Sequence, residues 1–245
     1  MRLTMWLCAA LLSMLTLPAC AGYSKQPSYY FKDEAQLALV QAVGDGDVQA
    51  VQRALDHGAD PNAVGKRGMT PLFWAVTMQP DIEIFRYLLD NGGDPNLTTI
   101  DKKSSGIKKV GLLYQAYRNP DPTFIEAVLE AGGDPNYLYN GAQTLLYHHM
   151  SDERIEHIKA LVNHGAEVDF KVRFDETPLF NAVMGQEYET ALVLLNAGAD
   201  PNMIESGGGY SIFDILKEFK DREAGGDYKR FVDALKQRGY LDPSF

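Results

Sequence analysis

The stretch HGADPN, residues 57–62, decides how the rest of the chain is read. Written once, it would be an ordinary turn. Its glycine takes the left-handed backbone conformation that ends a helix cheaply, and its Asp-Pro pair keeps that helix from resuming. This chain writes it repeatedly, as NGGDPN at 91–96, AGGDPN at 131–136, HGAEVD at 164–169 and AGADPN at 197–202. Gly58, Gly92, Gly132, Gly165, Gly198 and Gly239 follow one another at intervals of 34, 40, 33, 33 and 41 residues. A period near 33 with two insertions is the mark of a chain built from stacked units.

A second motif follows most of these turns. TPLFWAV at 70–76 and TPLFNAV at 177–183 are the well-kept copies; VGLLYQA at 110–116, TLLYHHM at 144–150 and YSIFDIL at 210–216 are degenerate ones. Thr70 and Thr177 suit a helix N-cap, and Pro71 and Pro178 suit the first helical position, where the missing N–H costs nothing. Each copy is followed by an amphipathic run, for example IEIFRYLL at 82–89, which predicts a second helix ending at the next glycine. One such helix pair cannot bury its apolar faces alone, so neighbouring pairs must stack into a continuous core.

These residues resemble the ankyrin repeat, which pairs a TPLHxA helix start with a GADxN ending, and the resemblance covers roughly residues 35–243. It implies an all-α solenoid of about six helix-turn-helix repeats. The first spans 34–66, without the TPL start; the next four span about 67–100, 101–140, 141–173 and 174–206; the last spans 207–245. The twelve residues TTIDKKSSGIKK, 98–109, are an insertion that adds four lysines and is expected as a solvated loop, with a basic finger on the binding side suited to an acidic partner, or a contact for lipid head groups near the anchor, as the alternatives.

The N-terminus has a different character. Arg2 precedes MWLCAALLSMLTL at 5–17, an uncharged apolar run too short to span a bilayer and suited to the core of an export signal. LPAC at 17–20 resembles the lipobox of bacterial lipoproteins. That implies a signal peptide at 1–19, a lipidated Cys20 at the mature N-terminus, and a tether at 20–33 before the repeat domain at 34–245. Ala21 after the cysteine implies sorting to the outer membrane, with the protein facing the periplasm. The alternative is ordinary secretion with cleavage after Ala21. Cys8 lies inside the signal, so Cys20 would be the mature chain's one thiol, without a disulfide partner.

The formal net charge of −10 argues against nucleic acid and against docking on anionic lipid, leaving the lipid itself as the membrane contact. No GxSxG, HExxH or phosphate-binding loop occurs, and no cofactor or metal is implied. His148, His149 and His157 fall in one repeat and suggest a minor alternative, a hydrolase using His148 and His149 with Asp152 or Glu153. The leading expectation is a monomeric, non-enzymatic scaffold that binds a protein by its concave face. Carried over by position from the TPL motif, that face comprises Val64, Lys66, Arg67, Met69, Thr77, Met78, Tyr117, Arg118, Leu138, Tyr139, Ser151, Arg173, Phe174 and Met184. Arg, Met and aromatic residues are enriched at binding hot spots. A narrower alternative within the same class is an immunity protein that neutralises a periplasm-targeted toxin.

Overall fold

The computed structural model describes residues 24–103, 106–139, 141–147, 151–171, 176–203, 209–220 and 225–245. The repeats are built from α1 (Glu34–Asp45) with α2 (Val48–Asp56), α3 (Pro71–Thr77) with α4 (Ile82–Asp90), and α5 (Leu112–Arg118) with α6 (Thr123–Glu130). There follow α7 (Ile155–Asn163), then α8 (Pro178–Met184) with α9 (Tyr188–Asn196), and α10 (Ile212–Phe219) with α11 (Gly226–Gln237). Six of the helix starts are set by short polar side chains. Thr70 Oγ1 accepts from Phe73 N at 3.0 Å and Thr177 Oγ1 from Phe180 N at 3.2 Å, while Asp33, Asp47 and Asp81 cap α1, α2 and α4 in the same way. Ser211 and Asp214 form a reciprocal capping box on α10.

Helix ends are set by the repeated turn. Gly58 sits at φ 90°, which allows Ala59 N to reach back to Ala54 O at 3.0 Å and close the last turn of α2. The same bond recurs at 2.9–3.0 Å at the ends of α4, α6, α7, α9 and α11, from Gly93, Gly133, Ala166, Ala199 and Tyr240. Each aspartate of the DPN turns then accepts from the backbone two residues on, as Asp60 does from Asn62 N at 2.8 Å and Asp94 from Asn96 N at 2.8 Å.

The helices form two layers. The second helices α2, α4, α6, α7, α9 and α11 pack in an unbroken row, whereas the first helices pack as α1–α3–α5 and as α8–α10. One hydrophobic cluster runs between the layers, with Leu39, Leu72, Ile84, Phe85, Leu88, Leu112, Ile125, Ile158, Leu161 and Phe231 all fully enclosed. Each such side chain contributes about 1.5–3 kcal/mol by leaving water. The stack is also joined along its turns. Asn62 donates to Gly92 O at 2.8 Å and accepts from Asp94 N at 2.7 Å; Asn96 does the same to Gly132 O at 3.1 Å and Asp134 N at 2.8 Å.

Three regions depart from the sequence expectation. The insertion at 98–109 is an antiparallel ribbon, β1 (Thr98–Lys103) with β2 (Gly106–Gly111), in which the β-branched Thr98, Thr99 and Ile100, types that suit a strand, pair with Gly111, Val110 and Lys109. A shorter ribbon, β3 (Leu138–Tyr139) with β4 (Gln143–Thr144), leads into the fourth repeat. There TLLYHHM predicts a first helix, but Thr144 belongs to β4 and Leu145–Tyr147 form a turn closed by Tyr147 N to Thr144 O at 3.1 Å. Leu145 and Leu146 still fill the core, so the apolar pattern was met without the helix. The third departure is at the N-terminal side, where the described part of the expected tether packs on the domain. A 3-10 turn at Pro27–Tyr29 places Tyr30 and Phe31 at 4% and 5% exposure.

Candidate functional site

Between each turn and the next first helix the chain makes an excursion, a finger, and the first three fingers lock side by side. In the first, Gly65 N donates to Met69 O at 2.7 Å and closes the loop. The N-terminal segment covers one flank: Lys66 N donates to Tyr30 O at 3.0 Å, and the Phe31 ring lies against Gly65. On the other flank Thr99 Oγ1 of β1 donates to Gly68 O at 3.0 Å. Gly68 is at φ 73°, and a Cβ there would sit 2.8 Å from that hydroxyl, so any other residue would pry the first finger from the second. The second and third fingers meet where the Tyr137 ring packs on Gly111.

Polar and aromatic side chains decorate this frame. The Lys66 ammonium stands 4.1 Å from the centre of the Tyr29 ring, and Tyr114 stacks on Tyr139 at 4.4 Å with Arg118 over the Tyr114 ring at 5.9 Å. Burial, with the Tyr139 hydroxyl bonded beside it, pushes the Tyr114 phenol up to about 12. Val64, Ile100 and Leu138 are exposed by 59%, 50% and 39%, one on each successive finger. Thr99 points in and Ile100 out, as strand alternation requires, and Ile100 pairs across the ribbon with exposed Lys109.

The residues expected on the binding face divide accordingly. Lys66 and Arg118 are exposed, Met184 is 48% exposed, and Arg67, Met78 and Tyr139 are half-buried. Met69 and Tyr117 do not belong to the surface, being 3% and 2% exposed. Met69 lies under the closed first finger, just before the Thr70 cap, and Tyr117 is covered by Arg154 and by the His157 ring at 5.6 Å. Cys20, Arg173 and Phe174 lie outside the described residues. Two surface residues were missed by counting from the TPL motif: Tyr29, which precedes the repeats, and Ile100, whose position was expected as loop.

The expected hydrolase set has structural employment where it is described. Asp152 accepts from Thr190 N at 2.8 Å and Glu189 N at 3.4 Å, so its carboxylate caps the start of α9. His157 is 2% exposed, with Nε2 2.8 Å from Asn119 O, and burial holds its imidazole below the usual histidine range. Neighbouring Arg154 reaches Tyr117 O at 3.1 Å and Asn119 O at 2.7 Å at the end of α5. The 3-10 turn Asp152–Arg154 thus bridges α5 to α9. His148 and His149 lie outside the described residues, and among those described no cluster of histidine, cysteine and carboxylates could hold a metal.

Comparisons with known proteins accord with this architecture. Residues 39–89 match the family description "Ankyrin repeats (many copies)" and residues 112–205 match "Ankyrin repeats (3 copies)". The ankyrin repeat protein FPV014 of Fowlpox virus is 27% identical over 183 residues, 74% of this chain and 40% of that protein. Mitochondrial disaggregase of Bos taurus is 28% identical over 186 residues, 73% of this chain and 20% of its own length. Cyclin-dependent kinase 4 inhibitor B of Rattus norvegicus is 38% identical over 58 residues, 24% of this chain and 43% of the inhibitor. The chain therefore spans less than half of each of these relatives. Two matched segments, a shared turn and a two-layer stack of helix pairs agree: this chain belongs to the ankyrin-repeat family.

Proposed function

We propose that this chain is an exported, lipid-anchored scaffold that holds a protein partner on its finger row and the adjoining flank of the first helices. Ankyrin repeats are protein-interaction modules, and the single observation that localises the contact here is the run of Val64, Ile100 and Leu138. Three large apolar side chains are exposed on three consecutive fingers whose backbones are fixed to one another. Exposed apolar side chains that recur along a rigid, polar-rimmed surface mark interaction sites, and a preformed frame lowers the ordering cost of binding. The exposed Lys66, Arg118 and Met184 extend this surface.

The test is affinity capture from periplasmic extract with the full chain, repeated with Val64→Ser, Ile100→Ser and Leu138→Ser combined. The expected outcome is a partner captured by the natural chain and lost from the triple variant, with unchanged thermal unfolding. Equal capture by both would refute the assignment of the surface. Anchoring is tested separately: Cys20→Ser should move the protein from the membrane fraction to the soluble periplasm, and unchanged fractionation would refute lipidation.

A second reading of the same surface is inhibition, as in an immunity protein that neutralises a toxin. It is favoured by the 38% identity over 58 residues with a kinase inhibitor, since it shows a short related stretch in a protein named for blocking an enzyme. A captured partner whose activity falls on binding would select this reading over scaffolding.

A further inference from the structure

The charge of the chain is distributed unevenly, and the fingers carry the exception. Segments 63–69 and 97–111, the first two fingers, contain six basic residues, Lys66, Arg67, Lys102, Lys103, Lys108 and Lys109, against one acid, Asp101, and the third, 137–144, contains no charged residue. That leaves 17 of the chain's 23 basic residues against 32 of its 33 acids everywhere else. The first two fingers are therefore positive in a strongly negative chain, and Lys66 and Lys109 are exposed on the fingers that carry Val64 and Ile100. We infer that the finger row is a receptor for an extended, acidic protein segment that alternates carboxylates with large apolar residues. This rests on the protein-binding reading above and gives the partner its chemistry.

Both halves of the description come from the surface. Val64, Ile100 and Leu138 ask for apolar contacts at intervals, one per finger, which an extended chain supplies and a compact knob does not. Lys66 and Lys109 are exposed beside Val64 and Ile100, so carboxylates on the same segment would meet ammonium groups next to each apolar anchor. A lipid surface or a nucleic-acid duplex would answer the positive charge as well. Either extends well beyond the fingers, however, and would bring its anionic charge against the acidic body within the screening distance of about 10 Å. A narrow segment avoids that repulsion and steers itself along the row.

The test uses the purified full chain carrying Cys20→Ser and a displayed library of random twelve-residue peptides. The expected result is enrichment of peptides with net negative charge and at least two large apolar residues. One such peptide, labelled, should lose at least tenfold in affinity on Lys66→Glu with Lys109→Glu. It should lose a similar factor on the Val64, Ile100 and Leu138 serine triple, with thermal unfolding unchanged in both variants. Enrichment of neutral or basic peptides, or no enrichment, would overturn the inference, as would tighter binding to anionic vesicles or to single-stranded DNA than to the peptide. Should the charge-reversed variant capture its periplasmic partner undiminished while Met184→Ala with Arg118→Ala does not, the scaffold reading survives and the acidic-segment inference falls.

Discussion

Asn62 and Asn96 each do two things that no other residue type does as well: the amide oxygen accepts from the next turn's Asp94 or Asp134 N–H, and the amide nitrogen donates to the next turn's Gly92 or Gly132 carbonyl. Asn136 accepts from Glu167 N at 2.8 Å, and the following position breaks the series. Asp169 accepts from Asp200 N at 3.1 Å but has no donor to return. Its carboxyl is held above the usual range by burial, with the bond from Asp200 N opposing and the Asp200 charge reinforcing the shift. A carboxyl raised by folding binds more protons folded than unfolded. Its contribution to stability therefore falls as pH rises from about 4 through the raised value, and stays lower above it. Asp169→Asn should restore the donor and remove that dependence, raising stability at pH 7 by about 1 kcal/mol, a gain of about 2–4 °C in Tm. Calorimetry at pH 4 and pH 7 checks it, and an unchanged melting temperature at pH 7 would count against the account. The turns themselves were readable in the sequence because Gly, Asp, Pro and Asn each have a local reason to be there. The fates of Met69 and Tyr117 were not, because their burial depends on Gly65 closing a loop and on Arg154 arriving from a repeat 37 residues away.

At the level of elements, the fourth repeat shows how the chain is joined where Leu145–Tyr147 turn instead of starting a helix. The second helices form a continuous row, and the short 3-10 turn Asp152–Arg154 ties the end of α5 to the start of α9. Its Asp152 caps α9 and its Arg154 caps α5, so two charged side chains do part of the joining that helix packing does elsewhere. Arg154→Ala should cost about 2–3 kcal/mol by leaving the Asn119 and Tyr117 carbonyls short of a charged donor, and Asp152→Ala about 1 kcal/mol as a lost cap. Hydrogen exchange should show the first loss at the end of α5 and the second at the start of α9. His157 makes this joint sensitive to acid. Burial lowers its pKa, Arg154 lowers it further, and the bond to Asn119 O, Asp121 and Glu156 oppose. The unfolded chain then binds the proton more readily, so stability is full at neutral pH and is lost as pH falls below about 6.5. His157→Gln should flatten urea-unfolding stability between pH 7 and pH 5.5; a slope that persists would assign the effect to another group. The sequence offered a helix at TLLYHHM because Leu145 and Leu146 have the right spacing. The same two leucines fill the core from a turn, and hydrophobic periodicity does not distinguish the two.

Across the whole molecule, stability is a sum of repeats and their interfaces, so damage at one end should stay there. Phe31, nearly enclosed against Gly65, ties the N-terminal segment to the first finger. Phe31→Ala should cost about 3 kcal/mol and raise hydrogen exchange in 63–69 while leaving α8–α11 protected. Uniform loss of protection along the chain would contradict this. The periodic turns disclosed the number of units and their order. What the surface holds was less accessible, because the fingers are the least periodic part of each repeat. Their rigidity comes from contacts between repeats that no single copy of the motif encodes.

The docked Tyr30 and Phe31 have a last consequence. A surface that offers one exposed large apolar side chain per finger lets a bound chain slip by one finger, since Val64, Ile100 and Leu138 are alike in that respect. Here the N-terminal segment stands against the first finger, with Tyr29 under the Lys66 ammonium, and closes that end of the row. The surface thereby gains a wall at that end. A ligand laid along it has a zero mark from which its length is measured, and the row of fingers becomes a ruler.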